Sequence, residues 1–145
     1  MPDAWFSPNA GAAAAIAEYI NTAIANVDMM AFQYQLGPIH NAMIAMAQAG
    51  VQVRLILDRR QQFLEDVRVK QLRDAGAQVL FDKYERQQCL TFATIDYEIT
   101  FTGSYVYTAQ AELRNTSDLV KLVTSPWDLL YPELFQYHWA HSVYQ

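Results

Sequence analysis

One cysteine stands in 145 residues. An intrachain disulfide is therefore excluded, and so is a zinc cluster built on paired cysteines. The three histidines form no His-rich motif, and the five glycines form no phosphate-cradling loop. No metal and no cofactor is expected on these grounds. Basic residues are also few, ten against fifteen acids, for a net charge of −5 and a pI near 5.0. That balance argues against a general nucleic-acid binder. No apolar run approaches the roughly 20 residues a membrane-spanning helix needs. Ala12 to Ala17 is apolar, but no basic segment precedes it and Glu18 follows, so it does not read as a secretion signal. Repeats, low-complexity tracts and long linkers are absent, and 1–145 reads as a single domain.

A hydrophobic content of 52% excludes a disordered chain. At this length a sizeable core can be buried. Ala4-Trp5-Phe6 reads as a strand ended by Ser7-Pro8-Asn9. Ala12 to Ile24 has helical spacing, with Ile16, Tyr19, Ile20 and Ile24 on one side. Val27 to Tyr34 reads as a buried strand. Pro38 suits the first turn of a helix through Gln48, which Gly50 closes. Val51 to Leu57 becomes wholly apolar, as a central strand does. A helix from about Leu64 to Ala75 and a strand at Val79-Leu80-Phe81 follow. Cys89 to Ile95 and Glu98 to Thr102 form a hairpin turning at Asp96-Tyr97, where tyrosine is unusual because such turns favour positive φ. Leu119 to Val123 is a further strand, and Trp127 to His141 a final amphipathic helix. Alternating strands and helices, then a hairpin, imply an α/β sandwich of two or three layers around a mixed sheet with flanking helices. The basic residues between Arg54 and Arg86 are mixed with acids and read as a solvated surface, as do the carboxylate pairs Glu112/Asp118 and Glu65/Asp66.

The stretch Cys89-Leu90-Thr91-Phe92-Ala93-Thr94-Ile95-Asp96 is followed by Thr102-Gly103-Ser104-Tyr105-Val106-Tyr107-Thr108. It resembles the paired motif of the phospholipase D superfamily. In that motif His, any residue, Lys, four residues and Asp precede Gly-Ser-x-Asn on the next strand. Phe6-Ser7-Pro8, Val27 to Phe32, Gly50 to Asp58, Asp74 to Val79, Thr108 to Asn115 and His138-Trp139 also resemble the small single-motif bacterial endonucleases of that superfamily. The resemblance implies a phospholipase D/nuclease-like fold, and a homodimer whose two motifs meet at the interface. It further implies metal-free chemistry in which one His attacks phosphorus, the partner's His protonates the leaving group, and Lys and Asn hold the phosphate oxygens.

Departures from the motif gather where that chemistry would sit. Asp96 and Gly103-Ser104 match, as structural motif residues and a phosphate-supporting serine. Cys89, Thr91 and Val106 stand at the His, Lys and Asn positions, and Ser117-Asp118 where a Glu-Asn pair is usual. Selective replacement of polar groups over intact core strands suggests a remodelled pocket, natural or engineered, with engineering the preferred reading. Such a chain is expected to be inactive as a nuclease. Trp5, Leu90, Thr91, Ser104, Tyr105, Val106 and Ser117 would line an apolar cleft suited to an uncharged aromatic or ester-like ligand.

Cys89 carries two readings. A lone cysteine on a strand is most often a small buried hydrophobe. Alternatively it is a thiol nucleophile, which needs a nearby base. His40, at a helix start beside the loop after the second strand, is the first choice of base, giving a Cys-His ester hydrolase. His138 and His141 on the last helix read as surface or packing residues. A third reading keeps nucleic-acid binding without cleavage. The compartment stays open, since members of the superfamily are often exported.

Overall fold

The computed structural model describes residues 3–64, 66–84, 86–123 and 127–144. The chain runs β1 (Ala4–Ser7), α1 (Ala12–Ile20), β2 (Asn26–Ala31), α2 (Gly37–Gln48), β3 (Gln52–Asp58), a 3-10 turn (Arg59–Gln61), α3 (Asp66–Asp74), β4 (Gln78–Asp82), β5 (Phe92–Ile95), β6 (Ile99–Thr102), α4 (Ala109–Leu113), β7 (Ser117–Leu122) and α5 (Trp127–His141). One seven-stranded mixed sheet has the order β1-β7-β6-β5-β2-β3-β4. Strands β2, β3 and β4 are parallel, and every other pairing is antiparallel.

Strand alternation separates two faces. Val27, Met29 and Ala31 of β2, Val53, Leu55 and Leu57 of β3, and Val79 and Phe81 of β4 point into the main core. There they meet Ile16 and Ile20 of α1, Ile39 and Met43 of α2, and Leu72 of α3. Met30, Ile56 and Phe92 point the other way and meet Phe135 of α5. The architecture is thus a three-layer sandwich, with α1, α2 and α3 on one side of the sheet and α5 on the other. Helix α2 starts with Pro38 in its first turn, and Gly50 follows it at φ 89°.

The polar residues of β2 and β3 fall on the α5 side. Asp28 and Arg54 are paired in register. Arg54 Nε and Nη2 donate to Asp28 Oδ1 and Oδ2, each at 2.8 Å. The guanidinium carbon lies 4.8 Å from the Phe135 ring centre and 5.1 Å from that of Trp139. Arg54, a residue of the central strand β3, is thereby enclosed between sheet and helix.

Several elements are shorter than their hydrophobic patterns. Helix α1 stops at Ile20, and Ile24 is 87% exposed rather than core-facing. Strand β2 stops at Ala31, and Tyr34 joins the β-structure through an isolated bridge to Tyr107. Strand β5 starts at Phe92, leaving Cys89, Leu90 and Thr91 in the approach to it. Glu65 lies outside the described residues.

The β5–β6 turn has φ 54° at Asp96 and 57° at Tyr97, the left-handed pair of a primed hairpin turn. Asp96 repays its own strained position by capping the start of β2. Its carboxylate accepts the N–H groups of Ile24 at 3.1 Å, Ala25 at 2.8 Å and Asn26 at 3.0 Å. Burial pushes the Asp96 carboxyl up, but the three backbone donors outweigh it and hold the pKa below the ordinary aspartate value. With the folded-state pKa below the unfolded one, the unfolded chain binds more protons. The stability gained is then present above the ordinary carboxylate range and is lost as pH falls through the folded value. Asp96→Asn should therefore lower stability at neutral pH by about 1–2 kcal/mol and flatten the acid limb of a stability-against-pH curve from urea unfolding. An unchanged acid limb would exclude this role.

Candidate functional site

The carboxyl ends of β2, β3 and β4 hold the segment that carries Cys89, the place where open α/β sheets gather their ligands. Asp58, fully buried at the end of β3, accepts the Gln88 backbone N–H on Oδ1 at 2.7 Å and the Arg60 N–H on Oδ2 at 3.0 Å. Gln88 Nε2 donates to the Ala31 carbonyl at 3.2 Å. Two residues beyond Cys89, Thr91 Oγ1 accepts the Phe32 N–H at 3.3 Å. Cys89 is thereby suspended between two anchored neighbours, and its side chain is exposed. The reading of Cys89 as a buried hydrophobe is overturned: β5 begins too late to draw it into the sheet.

An open cavity of about 340 Å³ is lined by Gln87, Gln88, Cys89, Leu90 and His138. The histidine beside Cys89 is thus His138 of α5, not His40. His40 sits on α2, across the sheet. Its Nδ1 is 3.0 Å from the Tyr34 hydroxyl and its Nε2 is 2.8 Å from Gln71 Oε1, so both ring nitrogens tie α2 to the loop after β2 and to α3.

Of the residues expected to line the cleft, only Leu90 does so. Thr91 is buried, with its hydroxyl turned to backbone. Trp5 packs in the main core, 5.8 Å from the Phe101 ring. Tyr105 is buried and donates to Glu112 Oε2 at 3.0 Å. Burial and then Glu112 drive its phenol pKa well upward, so it stays protonated. Val106 is half-buried against the same core and Ser117 is half-buried in β7.

Ser104 and Asp118 form a closed pair. Ser104 N–H and Oγ donate to Asp118 Oδ1 at 3.0 and 2.6 Å, and the Asp118 N–H donates back to Ser104 Oγ at 3.0 Å. The serine hydroxyl and then its backbone N–H hold the Asp118 carboxyl below its ordinary pKa. Glu112 and Asp118, read as solvated charges, are half-buried, and each also accepts hydrogen bonds from the Ser104–Tyr105 segment.

Asp82, at the end of β4, is the functional candidate the sequence reading passed over. It is fully buried. His138 Nδ1 lies 2.9 Å and His141 Nε2 3.3 Å from its Oδ2. The available signal was the His138-x-x-His141 spacing, which places two imidazoles on one helix face.

Residues 16–139 match the family described as cardiolipin synthase, PLD-like domain. A phospholipase D of Rickettsia bellii is 30% identical over 115 residues, covering 79% of this chain and 57% of that protein. A human mitochondrial cardiolipin hydrolase is 28% identical over 115 residues, covering 79% of this chain and 46% of that protein. The chain thus spans about half the length of these curated relatives. Among solved structures, the phospholipase D family member Nuc from Salmonella typhimurium superposes with a TM-score of 0.89 at 22% identity, over 96% of this chain and 93% of that one. The mixed sheet, the three layers and the extent of the sequence match agree, and this chain belongs to the phospholipase D superfamily.

Proposed function

We propose that this domain keeps the phosphodiesterase frame without its chemistry, and offers the Cys89 cavity to a small, largely uncharged ligand. The observation that carries the reading is what stands at the phosphate-holding positions implied by the motif. Thr91 brings no charge and gives its oxygen to the Phe32 N–H. Val106 has no polar side-chain atom. Cys89 replaces the imidazole that would both attack phosphorus and protonate the leaving group. Removing a covalent nucleophile alone lowers a rate by roughly 10⁴ to 10⁶. The phospholipase and cardiolipin hydrolase activities in the relatives' names are therefore not carried over. The proposal includes a homodimer, because the motif occurs once per chain.

The experiment is turnover of bis(p-nitrophenyl) phosphate and of single-stranded DNA, with Cys89→Ser as control. No phosphodiester hydrolysis above the control is expected; hydrolysis that Cys89→Ser abolishes would end the reading. The same plates carry p-nitrophenyl acetate. The shared cavity of Cys89 and His138 favours a thiol ester hydrolase as the second reading, and ester turnover lost in both Cys89→Ser and His138→Ala would establish it.

A further inference from the structure

We propose that Asp82, His138 and His141 bind one divalent ion of the zinc class, on the sheet face covered by α5. The three ligand atoms all lie within 4.8 Å of one another. A tetrahedral zinc ion with bonds of about 2.0–2.1 Å needs ligand atoms about 3.3 Å apart. One of the three edges already meets that spacing, His141 Nε2 to Asp82 at 3.3 Å, and a second, His138 Nδ1 to Asp82 Oδ2, is a hydrogen bond of 2.9 Å that must lengthen slightly. The third edge, between the two imidazole nitrogens, is no longer than 4.8 Å, and both rings stand on one helix face.

The cluster is also preorganised. The Tyr84 N–H donates to Asp82 Oδ1 at 3.0 Å and fixes the carboxylate. Ser142 Oγ donates to the His138 carbonyl at 2.7 Å. Just beyond α5, Val143 pairs with Phe81 through two backbone hydrogen bonds of 2.6 and 2.9 Å. This ties the end of the helix to the strand that carries Asp82. The Tyr84 ring covers His141 at 4.8 Å, and Tyr137 stands edge-on to both imidazoles.

Donor chemistry selects the ion. Two imidazole nitrogens and one carboxylate suit Zn²⁺, Co²⁺, Ni²⁺ or Cu²⁺, whereas Mg²⁺ and Ca²⁺ prefer oxygen-only shells. Three protein ligands leave a position for water or a ligand. Because His138 also lines the Cys89 cavity, a molecule held there would be adjacent to the ion.

The test uses tag-free, chelator-treated protein and three readouts: zinc titration by calorimetry, the visible ligand-field spectrum with Co²⁺, and the thermal midpoint with Zn²⁺ or Mg²⁺. One zinc per chain is expected, with a raised midpoint for Zn²⁺ and none for Mg²⁺. His141→Ala should weaken zinc at least about 100-fold and abolish the cobalt bands. Its ring is partly exposed on the last turn of α5, so that variant is expected to fold, as circular dichroism will verify. His138→Gln provides the second ligand test. Absence of zinc binding, or binding unchanged by both substitutions, overturns the proposal and leaves a plain histidine–carboxylate cluster. Neither outcome bears on phosphodiester hydrolysis, since ion binding alone is measured.

Discussion

Gly103→Ala is expected to destabilise the domain by about 2–6 kcal/mol, combining about 1–3 for an unfavourable backbone conformation with about 1–3 for overpacking. Gly103 has φ 143°, a region that L side chains rarely adopt. A methyl group there would lie 2.3 Å from the Asp118 carbonyl oxygen, 3.0 Å from its carbon and 3.2 Å from Leu119 Cα. All three are backbone atoms of β7, so no side-chain rotation can relieve the contact. Strand β7 would have to retreat from β6, taking the Ser104–Asp118 pair with it. A urea midpoint close to that of the parent protein would show that β7 yields more readily than this packing implies. The glycine of the Gly103-Ser104 motif thus has a reason to persist that is independent of phosphate chemistry. It lets two strands approach, whatever the neighbouring side chains do.

That distinction explains which parts of the molecule were legible from sequence. Residues that answer to local backbone geometry could be read directly: Pro38 and Gly50 bounding α2, the apolar run of β3, the Asp96-Tyr97 turn. Residues whose role depends on which side of the sheet a helix occupies could not. His40 and His138 both sit on helices near strand ends, and nothing local ranks one above the other as a neighbour of Cys89. The ranking comes from topology. The crossovers β2-α2-β3 and β3-α3-β4 share one hand and advance in one direction, so both helices cover the same face. That leaves the opposite face to α5, and with it Asp82, His138 and the Cys89 cavity. Burial also eluded the pattern wherever an element stopped short. Ile24 continues the helical spacing of Ile16 and Ile20, but the backbone leaves the helix after Ile20. Cys89 continues the strand pattern of β5, but pairing starts only at Phe92. In both cases tertiary hydrogen bonds set the boundary: Asp96 captures Ile24, and Asp58 captures Gln88.

Arg54→Met should be the most damaging single change on the α5 side, costing about 3–5 kcal/mol, or roughly 10 °C in Tm at about 3 °C per kcal/mol. Asp28 is fully buried, and its two oxygens are both engaged by Arg54. Burial opposes the charge on the guanidinium, yet the hydrogen bond and attraction of Asp28 raise the Arg54 pKa above its ordinary value. Methionine would cover much of the same surface of the stacked Phe135 and Trp139 rings but leave the Asp28 carboxylate without its cation. The penalty is therefore one of an unpaired buried charge rather than of lost packing. Replacing both partners tests that cause: Asp28→Leu with Arg54→Met should recover most of the stability, because apolar pairs of similar volume substitute for buried ion pairs at little cost. If the double variant proved as unstable as the single one, the packing of α5, not the carboxylate, would be the origin of the loss. The consequence reaches the candidate site in either case. Helix α5 carries His138 and His141, and Arg54 holds its middle against the sheet through Phe135, Gln136 and Trp139. Loosening that contact in Arg54→Met should disperse the cluster around Asp82 before it disturbs the α2 face, giving faster amide exchange in α5 than in α2.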